Sequence, residues 1–155
     1  WAFDWEKPYL TYRKLENAGF KYDLSFAWRD YPGFRAGTSM PFNIWDPQRK
    51  RGCNIYSVPT SLMDGHVTHW SATNLTPLNR SKQIIEKIIS VGGVSVIDWH
   101  TESSCNKYHY GWDFQLWLKL MQYFTNRNDV WITTPWELVK YWHARKVKCS
   151  VQVKG

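Results

Sequence analysis

Three polar residues have the types and positions that chemistry needs: Arg35, Asp64 and His100 each fall just after a predicted strand. They supply a permanent cation, a carboxylate and an imidazole that titrates near neutrality, which together make an acid/base set. In proteins built from βα units, residues at the ends of different parallel strands converge on one face, so residues far apart in sequence can share a pocket. Each residue also has a purely structural use. Arg35 can tie down its own loop, Asp64 can cap a turn, and His100 can be a satisfied core histidine; their shared topological position is what favours the chemical reading.

Two rival clusters deserve comparison. Asp64-Gly65-His66-Val67-Thr68-His69 has spacing that could supply metal ligands from a helix or turn, against a surface loop carrying two exposed histidines. Ser103-Ser104, near His100 and His109, suggests a serine nucleophile, but no G-x-S-x-G turn is present.

The elements that must position these residues can be read from periodicity. Trp5, Tyr9, Tyr12 and Leu15 recur at helical spacing, predicting a helix over 4–18 that Gly19 ends. A strand over 22–27 follows, then the stretch Asp30-Tyr31-Pro32-Gly33-Phe34-Arg35-Ala36-Gly37-Thr38-Ser39-Met40-Pro41-Phe42. That stretch is too rich in Gly and Pro for regular structure and reads as a functional loop. Residues 43–51 form an excursion with a basic turn, 54–58 a second strand, and 59–70 a long loop holding Asp64, His66 and His69. Thr76-Pro77 starts a helix to about residue 91, with Ile84, Ile85, Ile88 and Ile89 as its apolar stripe and Gly92 as its stop.

The β-branched run Val94-Ser95-Val96-Ile97 then leads directly into Asp98-Trp99-His100. After a loop through Tyr110-Gly111, a third helix shows Phe114, Trp117, Leu118, Met121 and Phe124 on one face. Residues 129–132 predict a last strand. Thr134-Pro135-Trp136-Glu137 carries a capping-box pattern that opens the final helix, running to about 146. Helices alternating with strands argue for an α/β fold with parallel strands.

Bulk properties narrow the field. A chain of 155 residues holds one domain or a piece of a larger one, and is shorter than a complete eight-unit barrel of roughly 200 residues or more. No apolar run of about eighteen residues occurs, so no membrane-spanning helix is predicted. The net charge of +7 favours anionic partners. The basic residues are scattered, however, and the densest clusters, Arg49-Lys50-Arg51 and Arg145-Lys146-Val147-Lys148, are short, which argues against nucleic-acid binding.

Eleven tryptophans exceed ordinary usage; their flat apolar faces with a polar edge suit sugar rings as well as cores. Cys53, Cys105 and Cys149 lack metal-knuckle spacing and allow at most one bridge. Asn74-Leu75-Thr76 and Asn79-Arg80-Ser81 match the glycosylation acceptor pattern, which matters only in a secreted eukaryotic protein.

Four segments in order carry a family resemblance: Tyr22-Asp23-Leu24-Ser25, the loop from Gly33 through Arg35 to Pro41-Phe42, Val58-Pro59-Thr60-Ser61-Leu62-Met63-Asp64, and Gly93 through Asp98-Trp99-His100. They resemble the later motifs of the NodB-type polysaccharide deacetylases, and residues 129–137 are similar to that family's closing strand and helix. The resemblance implies part of a distorted (β/α)7 barrel, its C-terminal half only, over residues 1–155.

The implied activity is hydrolysis of an N-acetyl amide on a polysaccharide or glycan. His100 would be the general acid, Asp64 its charge partner, Arg35 the residue that orients the base, and Trp99 a wall of the sugar pocket. The family also implies zinc or another divalent metal. Its base and metal ligands belong to an Asp-Asp motif and a His-x-x-x-His motif that this sequence lacks, so no metal ligand is assigned to this chain. A second chain or segment is expected to complete the barrel. The alternative is a catalytically silent deacetylase-like domain that binds glycan or serves as a scaffold.

Overall fold

The computed structural model describes residues 4–69, 75–101, 103 and 111–152, which form two compact units. Unit 1 comprises Trp1–Ser25, Pro41–Val58 and Thr133–Gly155; unit 2 comprises Phe26–Met40 and Pro59–Ile132.

Unit 1 begins with α1 (Pro8–Asn17). Pro8 opens it at a position where a missing N–H costs nothing. The Asp4 carboxylate accepts the amides of Glu6 and Lys7 just ahead, so the helix starts four residues later than its periodicity suggests. Gly19 ends it at φ +87°, a left-handed conformation that glycine adopts without a Cβ penalty. Tyr12 is fully buried beneath it, and its hydroxyl donates to Asp23 Oδ2 at 2.8 Å. Burial, reinforced by the Asp23 charge, pushes the Tyr12 phenol far above the usual range.

The strands of unit 1 are short. β1 (Tyr22–Asp23) pairs in parallel with β4 (Tyr56–Ser57), and β2 (Trp45–Asp46) pairs antiparallel with β3 (Arg51–Gly52). The basic turn expected around 43–51 is therefore the tip of a hairpin. Asp46 organises it: its buried carboxylate accepts Arg13 Nε at 2.5 Å and Nη2 at 2.6 Å, together with the amides of Gln48 and Arg49. These bonds hold Asp46 far below the ordinary carboxylate range against the opposing effect of burial. The chain closes with α5 (Pro135–Gln152), whose N-cap Thr134 accepts the Glu137 amide at 3.3 Å. Ile44, Cys53, Ile55, Val58 and Val139 fill the interior.

Unit 2 holds β5 (Thr60–Met63), α2 (Asp64–His69), α3 (Pro77–Ser90), β6 (Val96–Asp98) and α4 (Gly111–Thr125). β5 and β6 are parallel, with Thr60 opposite Val96, Leu62 opposite Ile97 and Met63 opposite Asp98. Parallel neighbours require a crossover, which the chain makes through its helices. The core is a continuous cluster of Leu62, Val67, Ile85, Leu116, Leu120 and Phe124, against which Ile84, Ile89, Ile97 and Trp99 pack. Each fully buried leucine or isoleucine here removes enough apolar surface from water to contribute about 1.5–3 kcal/mol.

Three expectations need correction. The segment expected as a loop over 59–70 contains a buried strand and a helix as far as residue 69. Thr60-Ser61-Leu62-Met63 is polar and apolar by turns, yet Thr60, Ser61 and Leu62 are all buried, so tertiary packing overrode the weak local signal. Residues 129–132 form no strand; Trp131 and Ile132 are exposed there. The first predicted strand is reduced to its first two residues. The three helices from residue 77 onward are present, with α3 capped by Thr76 and ended by Gly92 at φ +61°, but α5 runs on to Gln152, and α4 buries Leu116, Leu120 and Phe124 while the expected Leu118 is exposed.

No helix among the described residues is long and apolar enough to cross a membrane. The Asn79-Arg80-Ser81 pattern lies inside α3 with Ser81 fully buried, a poor acceptor geometry, while Asn74 lies outside the described residues. Cys53 is a buried free thiol; Cys105 and the Cys149 side chain are outside the described set.

Candidate functional site

β5 ends at Met63 and β6 at Asp98, and these two residues are in register. The next residue after β5 is Asp64, and His100 lies two residues past β6. Parallel pairing therefore delivers both side chains to the same edge of the sheet. The outcome is a direct hydrogen bond between His100 Nδ1 and Asp64 Oδ1 at 2.8 Å, supported by a second from the His100 amide to Asp64 Oδ2 at 3.2 Å.

Asp64 is buried and also accepts the Gly65 amide at 2.8 Å and a hydrogen bond from the Ser103 side chain. Burial alone would raise its pKa. The bonds from Ser103, His100 and the two amides outweigh burial and lower it, so Asp64 is a carboxylate at neutral pH. An ionised partner at Nδ1 fixes the His100 tautomer with its proton on Nδ1. Nε2 is then the nitrogen through which the ring exchanges a proton. The His100 side chain is 51% exposed, so solvent or a ligand can reach the ring.

Arg35 sits in the loop its glycines predicted, with Gly33 at φ +111° and Gly37 at φ +69°. The loop is pinned to β5 and to the segment leading into β6: Gly33 donates to the Ser61 carbonyl at 2.7 Å, and Val94 donates to the Ser39 carbonyl at 3.0 Å. Between the strands, Ser61 Oγ bonds to Ser95 Oγ at 2.9 Å. The Arg35 guanidinium lies 5.0 Å from the centre of the Trp28 ring. The structure thus brings two of the three predicted residues into contact and places the third in an adjoining loop.

Trp99 packs against the core of unit 2 with its ring 5.3 Å from that of Trp117, and its buried Nε1 has no hydrogen-bond partner among the described residues. Its packing faces the core, whereas the resemblance implied a sugar-lining role.

The rival metal cluster divides. His66, expected at the surface, is buried, and its Nε2 is 3.1 Å from the Arg29 carbonyl. Burial lowers its pKa, which suits a neutral structural imidazole tying α2 to the Arg35 loop. The His69 side chain lies outside the described set. No group of three or more His, Cys, Asp or Glu side chains that could hold a metal ion occurs among the described residues.

Ser103 was singled out in sequence as a nucleophile candidate. The structure gives it another part, that of a buried donor to Asp64; Ser104 and His109 lie outside the described residues. The two amides on Asp64 had no sequence signal, because any residue supplies an N–H. Comparisons with protein-family models, with curated proteins and with solved structures find no match to this chain.

Proposed function

We propose that this chain is the general-acid portion of a hydrolase that removes N-acetyl groups from a polysaccharide or glycan, the C-terminal part of a distorted (β/α)7 barrel. The observation that carries the reading is the Asp64 and His100 pair at the ends of neighbouring parallel strands. Amide hydrolysis needs a proton delivered to the departing nitrogen, because an amine anion is too basic to leave. His100 in its imidazolium form gives that proton from Nε2, while Asp64 holds the opposite edge of the ring and stabilises its charge. Arg35 would orient the base that activates water, which the family draws from a motif this sequence does not contain.

A divalent ion such as zinc would polarise the acetyl carbonyl in such an enzyme. The described residues do not fit a metal centre, since His66 is committed to a backbone carbonyl and no three-donor group surrounds it. Donors would have to come from a second chain or segment, and the part assigned to this chain is proton transfer alone.

Acetate release from an N-acetylated oligosaccharide, measured on the native complex, tests the reading. His100→Ala should lower the rate by about 10²-fold or more with the fold unchanged. Equal rates for the two proteins would overturn it.

A second reading, glycan binding without catalysis, draws on Trp28, whose ring lies 5.0 Å from the Arg35 guanidinium, and on Tyr31, the two being 42% and 59% exposed. Binding of the same oligosaccharide with no acetate released, by wild type in its native complex, would favour it.

A further inference from the structure

Outside the Asp64 and His100 pair, the feature with most chemistry is a polar face of unit 1. A cavity of about 670 Å³ is lined by Glu16, Asn43, Arg51, Asn54, His143 and Lys146. A smaller one of about 300 Å³ adds Lys21, Trp136 and Lys140, and the two share Asn54, Tyr56 and His143. Adjoining through these three residues, they line a groove on this unit. Helical spacing explains half of it, because Trp136, Lys140, His143 and Lys146 recur every three or four residues and fall along one stripe of α5. Tyr56 completes the junction: its hydroxyl lies 3.2 Å from His143 Nδ1, and Lys146 Nζ lies 6.0 Å from the centre of its ring.

The charge balance of this groove is uneven. Its lining holds four basic residues, Lys21, Arg51, Lys140 and Lys146, and one carboxylate, Glu16; Lys140 is paired with Glu137 at 2.6 Å, and Lys146 Nζ donates to Asn43 Oδ1 at 3.1 Å. Glu16 is already saturated, accepting Arg49 Nη1 at 3.1 Å, Arg51 Nη2 at 3.0 Å and the Asn54 amide at 3.0 Å. With Arg51 paired to Glu16 and Lys140 to Glu137, the excess positive charge of the groove comes from Lys21 and Lys146.

We infer that this groove binds an acidic saccharide, a sugar bearing a carboxylate or sulfate. The anion preference follows from the cations. The sugar follows from the Asn54 side chain, the His143 ring and the Tyr56 hydroxyl, which match a ring carrying several hydroxyl groups, with Trp136 as an apolar wall; the Asn43 amide is committed to the Cys53 and Ile55 carbonyls and to Lys146. Choosing a sugar also rests on the glycan reading above. A nucleic-acid groove relies on aromatic faces for successive bases. Here the Trp136 ring is stacked on Tyr22, and Tyr56 meets His143 edge-on, so the rings are arranged as walls and not as a ladder.

The test is a binding titration of the full chain with a tetramer of galacturonic acid, a neutral tetramer of N-acetylglucosamine, and a single-stranded DNA of equal charge. The uronate should bind tightest and weaken as salt rises. Lys146→Gln and Lys21→Gln, both at solvated positions, should each weaken it roughly three- to fivefold, the effect of losing one exposed charge contact. Lys87→Gln, an equal charge change in α3 of unit 2, should leave it unchanged. Equal weakening by Lys87→Gln would reduce the effect to net charge and overturn the site. So would tighter binding of DNA, or equal binding of the neutral tetramer.

His100→Ala separates this inference from the catalytic one. Uronate binding that survives in this variant supports the groove whatever happens to acetate release. A wild-type protein that releases acetate yet ignores the uronate overturns the groove and leaves the deacetylase reading standing.

Discussion

Asp64 and His100 are separated by 36 positions and joined by a 2.8 Å hydrogen bond, because β5 and β6 run parallel and end in register. The pair is not symmetric in exposure. The carboxylate is buried under four hydrogen-bond donors, while the imidazole keeps half its surface open. That asymmetry is what a positioned proton donor needs: a fixed charge behind the ring and access in front.

Removing the carboxylate's charge should therefore separate orientation from proton transfer. Asp64→Asn keeps the shape but no longer stabilises the imidazolium, so acetate release should fall by about 10²-fold or more and its pH optimum should move to lower pH. His100→Gln, in contrast, should abolish the titration limb altogether. An Asp64→Asn profile superimposable on wild type would show that the carboxylate has no part in the reaction.

Acid stability follows from the same group and from Asp46. Both carboxyls have folded-state pKa values below the ordinary 3.8. A depressed carboxyl stabilises the folded state at pH above its ordinary value, and that contribution is lost as pH falls through the folded value. Thermal midpoints should thus hold steady above about pH 5 and drop steeply below about pH 4. Asp46→Asn should lower the midpoint at neutral pH and flatten the acid limb, since it gives up the paired charge facing Arg13.

Gly93 is a packing requirement more than a conformational one. A Cβ there would lie 2.4 Å from Ser39 Oγ and 2.8 Å from Ser39 Cβ, so the Arg35 loop could not approach the start of β6. Gly93→Ala should cost about 1–3 kcal/mol in denaturant unfolding, as overpacked sites do. Adding Ser39→Gly should recover part of that loss; no recovery would locate the strain elsewhere.

Two leucines on α4 give an internal control for the core. Leu120 is fully buried in the cluster with Ile85 and Leu62, whereas Leu118 is 38% exposed. Leu120→Ala should destabilise by about 2–5 kcal/mol and Leu118→Ala by much less. Similar losses at both positions would contradict the placement of this helix.

Elements whose signals are local were legible in the sequence. Gly19 and Gly92 stop helices because they adopt positive φ without steric penalty, Thr76 and Thr134 cap helices because a hydroxyl reaches an otherwise unpaired amide, and the isoleucine stripe sets the buried face of α3. It also marked Arg35, Asp64 and His100 as chemically capable.

The role of each marked residue depended on contacts between elements distant in sequence. β5 was invisible because Thr60 and Ser61 look like loop residues until other elements bury them, and residues 129–132 look like a strand yet form none. Hydrogen bonding between strands is non-local, so no window of sequence contains it. The same reason made Asp64 and His100 a pair, set Arg35 over Trp28, turned Ser103 from a candidate nucleophile into a support for Asp64, and buried His66 against a backbone carbonyl.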